Sequence, residues 1–553
     1  MVSFIFTNPP PRFTLKVQEV MIIRRVVVFV LCGFLMAASS GCLNKKTVSS
    51  RGSSTQTATA EDLLTNAIHQ LRPENFSIAA ATDKPVSLLN SWSGLRLETK
   101  PGEDSSDMEP VALPAGWSTT DDETRLNSKT FDDRDASHIR DCLLTHTMSN
   151  YLASRGSTEM ERIVGVFQFV VRNIALRGDD DPGLPLSTYQ ILLSGLGSAE
   201  DRAWICASVL RQLHYDCIIV KPNAQSNPED GDWLLGIVVN DQIFLFDARL
   251  GIPIPSQIIA GTPASSPATL NDISSHPEWL QQLSTRTDQP YAIDADSLKS
   301  PQVMPIVEPD FWSRRMSQLE SVLPSEDVCV LFDPPIADKG RPGVIQRLML
   351  ALPNITVDKI KPWPHPAQQS AEVRAATSAT VEQIKQVLVT FQVPIGITLD
   401  KQTGKPVNMV PEMKLKKIRT EQLQGKFEDA TEHYLSIRHL ELEPSQIPEI
   451  TLLHRLAAED SIFWSGLCKF EGANYGAAIE QLSGYLRRFG RKGRWSFPAS
   501  SLLAECHARL LRYDLAIKTI DRSPPEDPYR QVNALHLRNW NALMTQKNQE
   551  TTE

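Results

Sequence analysis

Gly197-Ser-Ala-Glu-Asp-Arg-Ala-Trp-Ile-Cys-Ala-Ser-Val-Leu-Arg-Gln-Leu213, followed at once by His214-Tyr-Asp-Cys-Ile-Ile-Val220, is the stretch that organises the rest of the chain. Its first part predicts a helix with Cys206, Leu210 and Leu213 toward a core. Its second part predicts a strand on which Cys217 alternates with Ile219. A polar, turn-rich loop from Lys221 to Asp232 comes next. Trp233 to Val239 and Gln242 to Asp247 are then two short apolar runs joined by Asn240-Asp241, the pattern of a β-hairpin. Upstream, one helix is expected from Asp135 to about Ala153. A second, from Thr158 to Asn173, carries Met160, Ile163, Val164, Phe167, Val170 and Val171 at helical spacing.

Gly197, Asp201, Ala203, Leu210, Arg211 and Leu213 fall in register with a Gly-x-Cys-x-Asp-x-Ala pattern that opens an apolar helix and leads to a strand. The segment resembles the nucleophile region of the transglutaminase-like superfamily, and the ending Val-Val-Arg172-Asn-Ile174 is similar to the helix that precedes it. The resemblance covers roughly residues 135–255 and implies an α+β, papain-like domain. It also implies a catalytic triad, most of which this chain lacks. The cysteine position is Ala199, the histidine position falls on Asp232 or Trp233, and only the orienting carboxylate, Asp247, is matched. No histidine lies between His214 and His276. Alanine has no nucleophilic atom, and a triad acts as a unit, so the resemblance implies the fold without its chemistry.

Other candidate groups are weaker. Cys206 lies two helical turns beyond Ala199, roughly 10 Å along the axis, and is expected in the core. His138, Cys142 and His146 share one helix face and are metal-ligating types. The first and last are about 12 Å apart, too far for one ion, and no complementary pair lies elsewhere. Neither a metal nor a cofactor is expected.

Residues 1–42 have the character of a leader. Met21 is followed by Arg24-Arg25, an apolar run from Val26 to Ala38, and Ser39-Ser40-Gly41-Cys42. The pattern resembles a bacterial lipoprotein signal with Cys42 as the lipidated residue, although Ser39 stands where leucine is usual. A plain secreted protein is the other reading. Residues 43–60 form a polar tether. Residues 61–134 are an N-terminal extension, with a helix expected around Glu61–Leu71. Residues 256–410 are a proline-rich α+β segment, in which Val328 to Phe332 is expected as a buried strand. The chain of 553 residues has 65 acidic against 56 basic side chains, which argues against nucleic acid as the main partner. Of its eight cysteines, Cys32 and Cys42 belong to the leader, and the other six are too scattered for a disulfide framework.

Residues 411–553 contain an internal echo. Phe470-Glu-Gly-Ala-Asn-Tyr475-Gly-Ala-Ala478-Ile479 recurs as Ala508-Arg-Leu-Leu-Arg-Tyr513-Asp-Leu-Ala516-Ile517, with a fainter copy in Gly425-Lys-Phe427-Glu-Asp-Ala430. Each copy resembles the elbow of a tetratricopeptide repeat, in which an aromatic packs at the turn and a small alanine lets two helices approach. Gly466 and Ala504 fall on the small position of the preceding helix, and Cys468 and Cys506 are expected as reduced core residues. So few repeats are expected to lean on the domain before them. Repeats of this type imply a groove for a protein or peptide partner. The combined expectation is a non-catalytic envelope lipoprotein, attached to the outer membrane by its lipid and facing the periplasm, that binds or scaffolds protein. The alternative is a cysteine protease or amidase acting on peptides or cell-wall crosslinks through an unrecognised nucleophile.

Overall fold

The computed structural model describes residues 59–75, 82–99, 110–178, 183–223, 232–256, 266–285, 290–353, 355–399, 402, 406–442, 445 and 447–550. The leader, Cys42, the tether up to residue 58 and residues 224–231 lie outside them. The molecule is α+β, with helices predominating around small sheets.

At its centre the helix Ala199–Arg211 packs against the helices Asp133–Ala153 and Glu159–Asn173 and against a five-stranded sheet. Across that sheet the order is 252–253, 242–247, 234–239, 216–221 and 302–305, every neighbouring pair antiparallel. The hairpin turns at Asn240 and Asp241, with φ of 48° and 60°. Both sit in the left-handed region that these two side chains tolerate and that a tight hairpin demands. Strands 216–221 and 234–239 are buried on both faces, which is why they are continuous apolar runs and do not alternate.

Arginine–aspartate pairs attach the flanking segments. Arg315 grips Asp135 through two bonds of 3.1 Å, with both side chains at 2 % exposure or less. Arg347 binds Asp216 through two bonds of 2.7 Å and also reaches Asp333, which is paired with Arg211. Arg72, at the end of the helix Ala60–Leu71, holds Asp327.

The expected strand at Val328–Phe332 is not one. The segment has no ladder partner among the described residues, and Val328 is exposed. Side chains supply its backbone partners instead. The Gln212 amide bonds both the N–H and the carbonyl of Val330, and Glu320 Oε2 accepts from the N–H groups of Leu331 and Phe332. The strand of residues 256–410 that joins the sheet, at the edge opposite 252–253, is Gln302–Pro305, which carries no apolar run long enough to mark it.

The C-terminal quarter is a row of helical hairpins: Lys414–Leu423 with Phe427–His439, Pro448–Glu471 with Tyr475–Phe489, and Ser496–Arg509 with Tyr513–Ile520, followed by Arg530–Glu550. Phe427, Tyr475 and Tyr513 each open the second helix of a pair, and Ala430, Ala478 and Ala516 are fully buried three residues on. The residue two places before each aromatic has positive φ: Gly425 at 81°, Ala473 at 58° and Leu511 at 57°. Glycine enters this region freely, whereas alanine and leucine do so under strain. The turn geometry therefore repeats more faithfully than the sequence. A Cβ on Gly466 would lie 2.8 Å from Leu482 Cδ2, so the small position is set by contact with the paired helix.

Candidate functional site

The helix Ala199–Arg211 begins with a reciprocal cap. Ser198 Oγ accepts from the Asp201 N–H at 3.1 Å, and Asp201 Oδ2 accepts from the Ser198 N–H at 2.8 Å. A Cβ on Gly197 would approach Ile174 Cγ2 to 2.8 Å and Asp201 Cβ to 3.0 Å, so glycine lets the chain pass under this turn. Asp201 also accepts from Arg177 at 3.2 Å and meets His365 Nε2 at 3.3 Å. Its oxygens are thus committed to holding the helix start.

Ala199, 7 % exposed, lies on the wall of a cleft of about 1230 Å³. One side of the cleft is Arg177, Ser198, Glu200 and Arg249; the other is Asp521, Arg530 and neighbours at the end of the hairpin row. Of Ala199, Trp233 and Asp247, Ala199 alone lines it. Asp247 is buried beneath, and both its oxygens are taken: Oδ1 accepts from the Leu250 N–H at 2.7 Å and Oδ2 from the Tyr291 hydroxyl at 2.6 Å. Burial raises the pKa of this carboxyl, and burial beside the carboxylate pushes the Tyr291 phenol well up. Trp233 faces elsewhere. It packs on Trp363 with ring centres 5.7 Å apart, and Trp363 stacks on His365 at 4.9 Å. Asp232 approaches Arg249 at 3.7 Å.

Among the described residues no thiol lines the cleft. Cys142, Cys206, Cys217, Cys329, Cys468 and Cys506 are all free and buried. Burial raises every one of these thiols well above the ordinary range, the least shifted, Cys506, to about 12. Such groups carry almost no thiolate near neutral pH. On the upstream helix, His138 Nε2 bonds the Leu331 carbonyl at 3.0 Å, Cys142 Sγ lies 3.7 Å from the same nitrogen, and His146 bonds Asn150. Among the described residues, no group of three or more His, Cys, Asp or Glu side chains is placed to hold a metal.

The structure adds residues that the sequence pattern did not single out. Arg202, 1 % exposed, donates to the carbonyls of Ile174, Ala248 and Val171 at 2.8, 3.1 and 3.1 Å, and to Tyr529 at 3.4 Å. Arg419, fully buried, donates to the carbonyls of Asn173 and Leu192 and to Asn173 Oδ1 at 3.0–3.2 Å, and lies over Trp464. Neither has an ion pair among the described residues, and burial lowers both pKa values. Both bind carbonyls at the end of the helix Glu159–Asn173, where orphan acceptors and the helix dipole favour a cation. Arg172 adds a bond to Glu471 at 2.7 Å. Together these contacts fasten the hairpin row to the central domain and fix the two walls of the cleft. The sequence does not mark them: Arg202 follows Glu200 and Asp201, and Arg419 lies in the polar helix Lys414–Leu423 among three lysines and a glutamate.

No family model matches the chain, and neither a curated protein nor a solved structure matches it.

Proposed function

We propose that this chain is a non-catalytic envelope lipoprotein. On this reading, residues 135–255 are a transglutaminase-like domain with a vacated site, and residues 411–553 are tetratricopeptide-like repeats. The cleft between them receives a polypeptide segment of a partner protein. The observation that carries the reading is Ala199, at the first turn of its helix and opening on the cleft, with no thiol of the described residues lining it and Asp247 already bonded by a tyrosine. An acyl-transfer enzyme needs a nucleophile within reach of a base, and the buried cysteines give the enzymatic alternative no support. Walls of mixed charge, rigidly joined by Arg202 and Arg419, suit the backbone and side chains of an extended peptide.

Reversing a charge on either wall, as in Glu200→Arg or Arg530→Glu, should weaken capture of a partner from envelope fractions without lowering thermal stability. The same reversal at Glu480 or Lys518, exposed positions outside the cleft, should leave capture intact. Equal loss at all four positions, or none at the first two, would remove the cleft from the proposal.

The lipid anchor rests on Cys42. Among the described residues no helix is long and apolar enough to cross a membrane, and in this proposal the acylated cysteine supplies the attachment. Cys42→Ala should shift the protein from the membrane to the soluble fraction or leave it uncleaved. An unmodified mature N-terminus beyond residue 42, found by mass spectrometry, would exclude lipidation.

A further inference from the structure

The link between the second and third hairpins runs Arg487-Arg-Phe-Gly-Arg-Lys-Gly-Arg494. Five of its eight residues are basic and none is acidic, in a chain whose formal net charge is -9. Its backbone is pinned. Ser496 Oγ donates to the carbonyls of Gly490 at 2.5 Å and Gly493 at 2.7 Å, and the Trp495 N–H bonds the buried Tyr485 hydroxyl at 2.8 Å. Gly490, at φ 57° and ψ -146°, makes a turn close to the region that essentially only glycine enters.

Two of the five basic side chains serve the fold. Arg494 lies 3.5 Å from Asp460 and over the Trp495 ring, and Arg488 makes two bonds to Glu441. Arg487, Arg491 and Lys492 are exposed and have no ion pair among the described residues. The Arg488–Glu441 contact also brings the end of the first hairpin to this place. Arg438, exposed and likewise without an ion pair, lies three residues before Glu441 in the last turn of the helix Phe427–His439. Leu442 directly follows Glu441, and at 73 % it is the most exposed large apolar side chain among the described residues.

Helix polarity accounts for part of this charge only. Cations are favoured in the last turn of a helix, where Arg438 and Arg487 lie, but the effect fades within that turn. Arg491 and Lys492 stand beyond it. Nor is basic charge general to the row, since the next link, residues 521–529, sets Asp521, Glu526 and Asp527 against Arg522. Four unpaired cations beside a protruding leucine match the surface of an anionic bilayer, with phosphates at headgroup level and hydrocarbon just beneath. An acidic protein or a nucleic acid matches the charge but gives the leucine no apolar layer to enter.

We propose that the turn 487–492, with Arg438 and Leu442, docks the hairpin row on a membrane surface containing anionic phospholipid. The contact does not depend on Cys42; on an anchored chain it sets which edge of the row lies against the bilayer.

Co-flotation of residues 43–553, prepared without the lipid, tests this separately from the anchor. Vesicles of phosphatidylethanolamine and phosphatidylglycerol in equal parts should carry the chain, and vesicles of phosphatidylcholine should not. Arg491→Ala combined with Lys492→Ala should weaken binding about thirtyfold, from about 1 kcal/mol for each basic residue at such a surface. Leu442→Ser should weaken it about fivefold, as for a leucine side chain about half withdrawn from water. Lys359→Ala, at an exposed lysine outside the row, should leave binding unchanged. All these positions are exposed, so each variant should melt as the unaltered chain does. Absence of binding to the anionic vesicles, or equal binding to phosphatidylcholine, would overturn the proposal. So would full binding by the Arg491/Lys492 or the Leu442 variant, or capture of poly-L-glutamate as tight as that of the vesicles, which would assign the turn to an acidic polymer.

Discussion

Arg419→Ala should destabilise the folded chain by about 3 kcal/mol, read as a drop in the urea midpoint. The side chain is fully buried and serves three acceptors, the carbonyls of Asn173 and Leu192 and the Asn173 amide oxygen. Truncation strands the two carbonyls, at about 1–3 kcal/mol each for a buried unpaired group, while Asn173 Oδ1 keeps a bond from Gln422 at 3.2 Å, and it leaves a cavity beside Trp464. The loss is smaller than the sum because the buried guanidinium carries its own desolvation penalty, which the variant no longer bears. Arg419→Met should fall between the two, filling the volume without restoring the bonds. A change under about 1 kcal/mol for alanine would mean that the hairpin row is held mainly by apolar packing, with Arg419 incidental.

Asp135→Ala should cost about 3–5 kcal/mol, because it leaves the Arg315 guanidinium buried without its carboxylate. Arg315 does bond the carbonyls of Arg125 and Ser128, but these are neutral acceptors and do not cancel its charge. Removing both partners, as Asp135→Ala with Arg315→Met, should recover much of the loss. A double-mutant cycle by chemical denaturation measures the coupling. The part not recovered is the loss of the Asp135 bonds to Arg125 at 3.2 Å and to the Asp132 N–H that caps the helix; a double variant no more stable than Asp135→Ala alone would mean that those bonds, and not the ion pair, carry the cost.

Local pattern carried much of the architecture. The helix Ala199–Arg211, the strand after it and the hairpin at Asn240-Asp241 were legible because each is specified by neighbours within a few residues. The same holds for the turns at Phe427, Tyr475 and Tyr513, where an aromatic and a small residue three places on define the geometry. What periodicity cannot show is which distant segment completes a site. Tyr291 reaches Asp247 from 44 residues away, His365 reaches Asp201 from 164, and Arg419 reaches Asn173 from 246. Val328–Phe332 misled for a related reason. An apolar run indicates burial, and here burial is achieved with Gln212 and Glu320 in place of a neighbouring strand. The proline-rich segment, in which no site residue was singled out from sequence, supplies the tyrosine and the tryptophan–histidine stack around the candidate site.

Thiol alkylation of the folded mature chain near neutral pH, followed by intact mass and peptide mapping, bears most directly on the claim that the site is empty of chemistry. Cys142, Cys206, Cys217, Cys329, Cys468 and Cys506 should all remain unmodified until denaturant is added. In Ala199→Cys, the new thiol at the helix N-terminus on the cleft wall should alkylate readily and still hydrolyse no peptide, since His365 contacts Asp201 beside Trp204 and Asp247 is bonded to Tyr291. Rapid modification of Cys206 in the folded, unaltered chain, with simultaneous loss of a measurable turnover, would contradict the account.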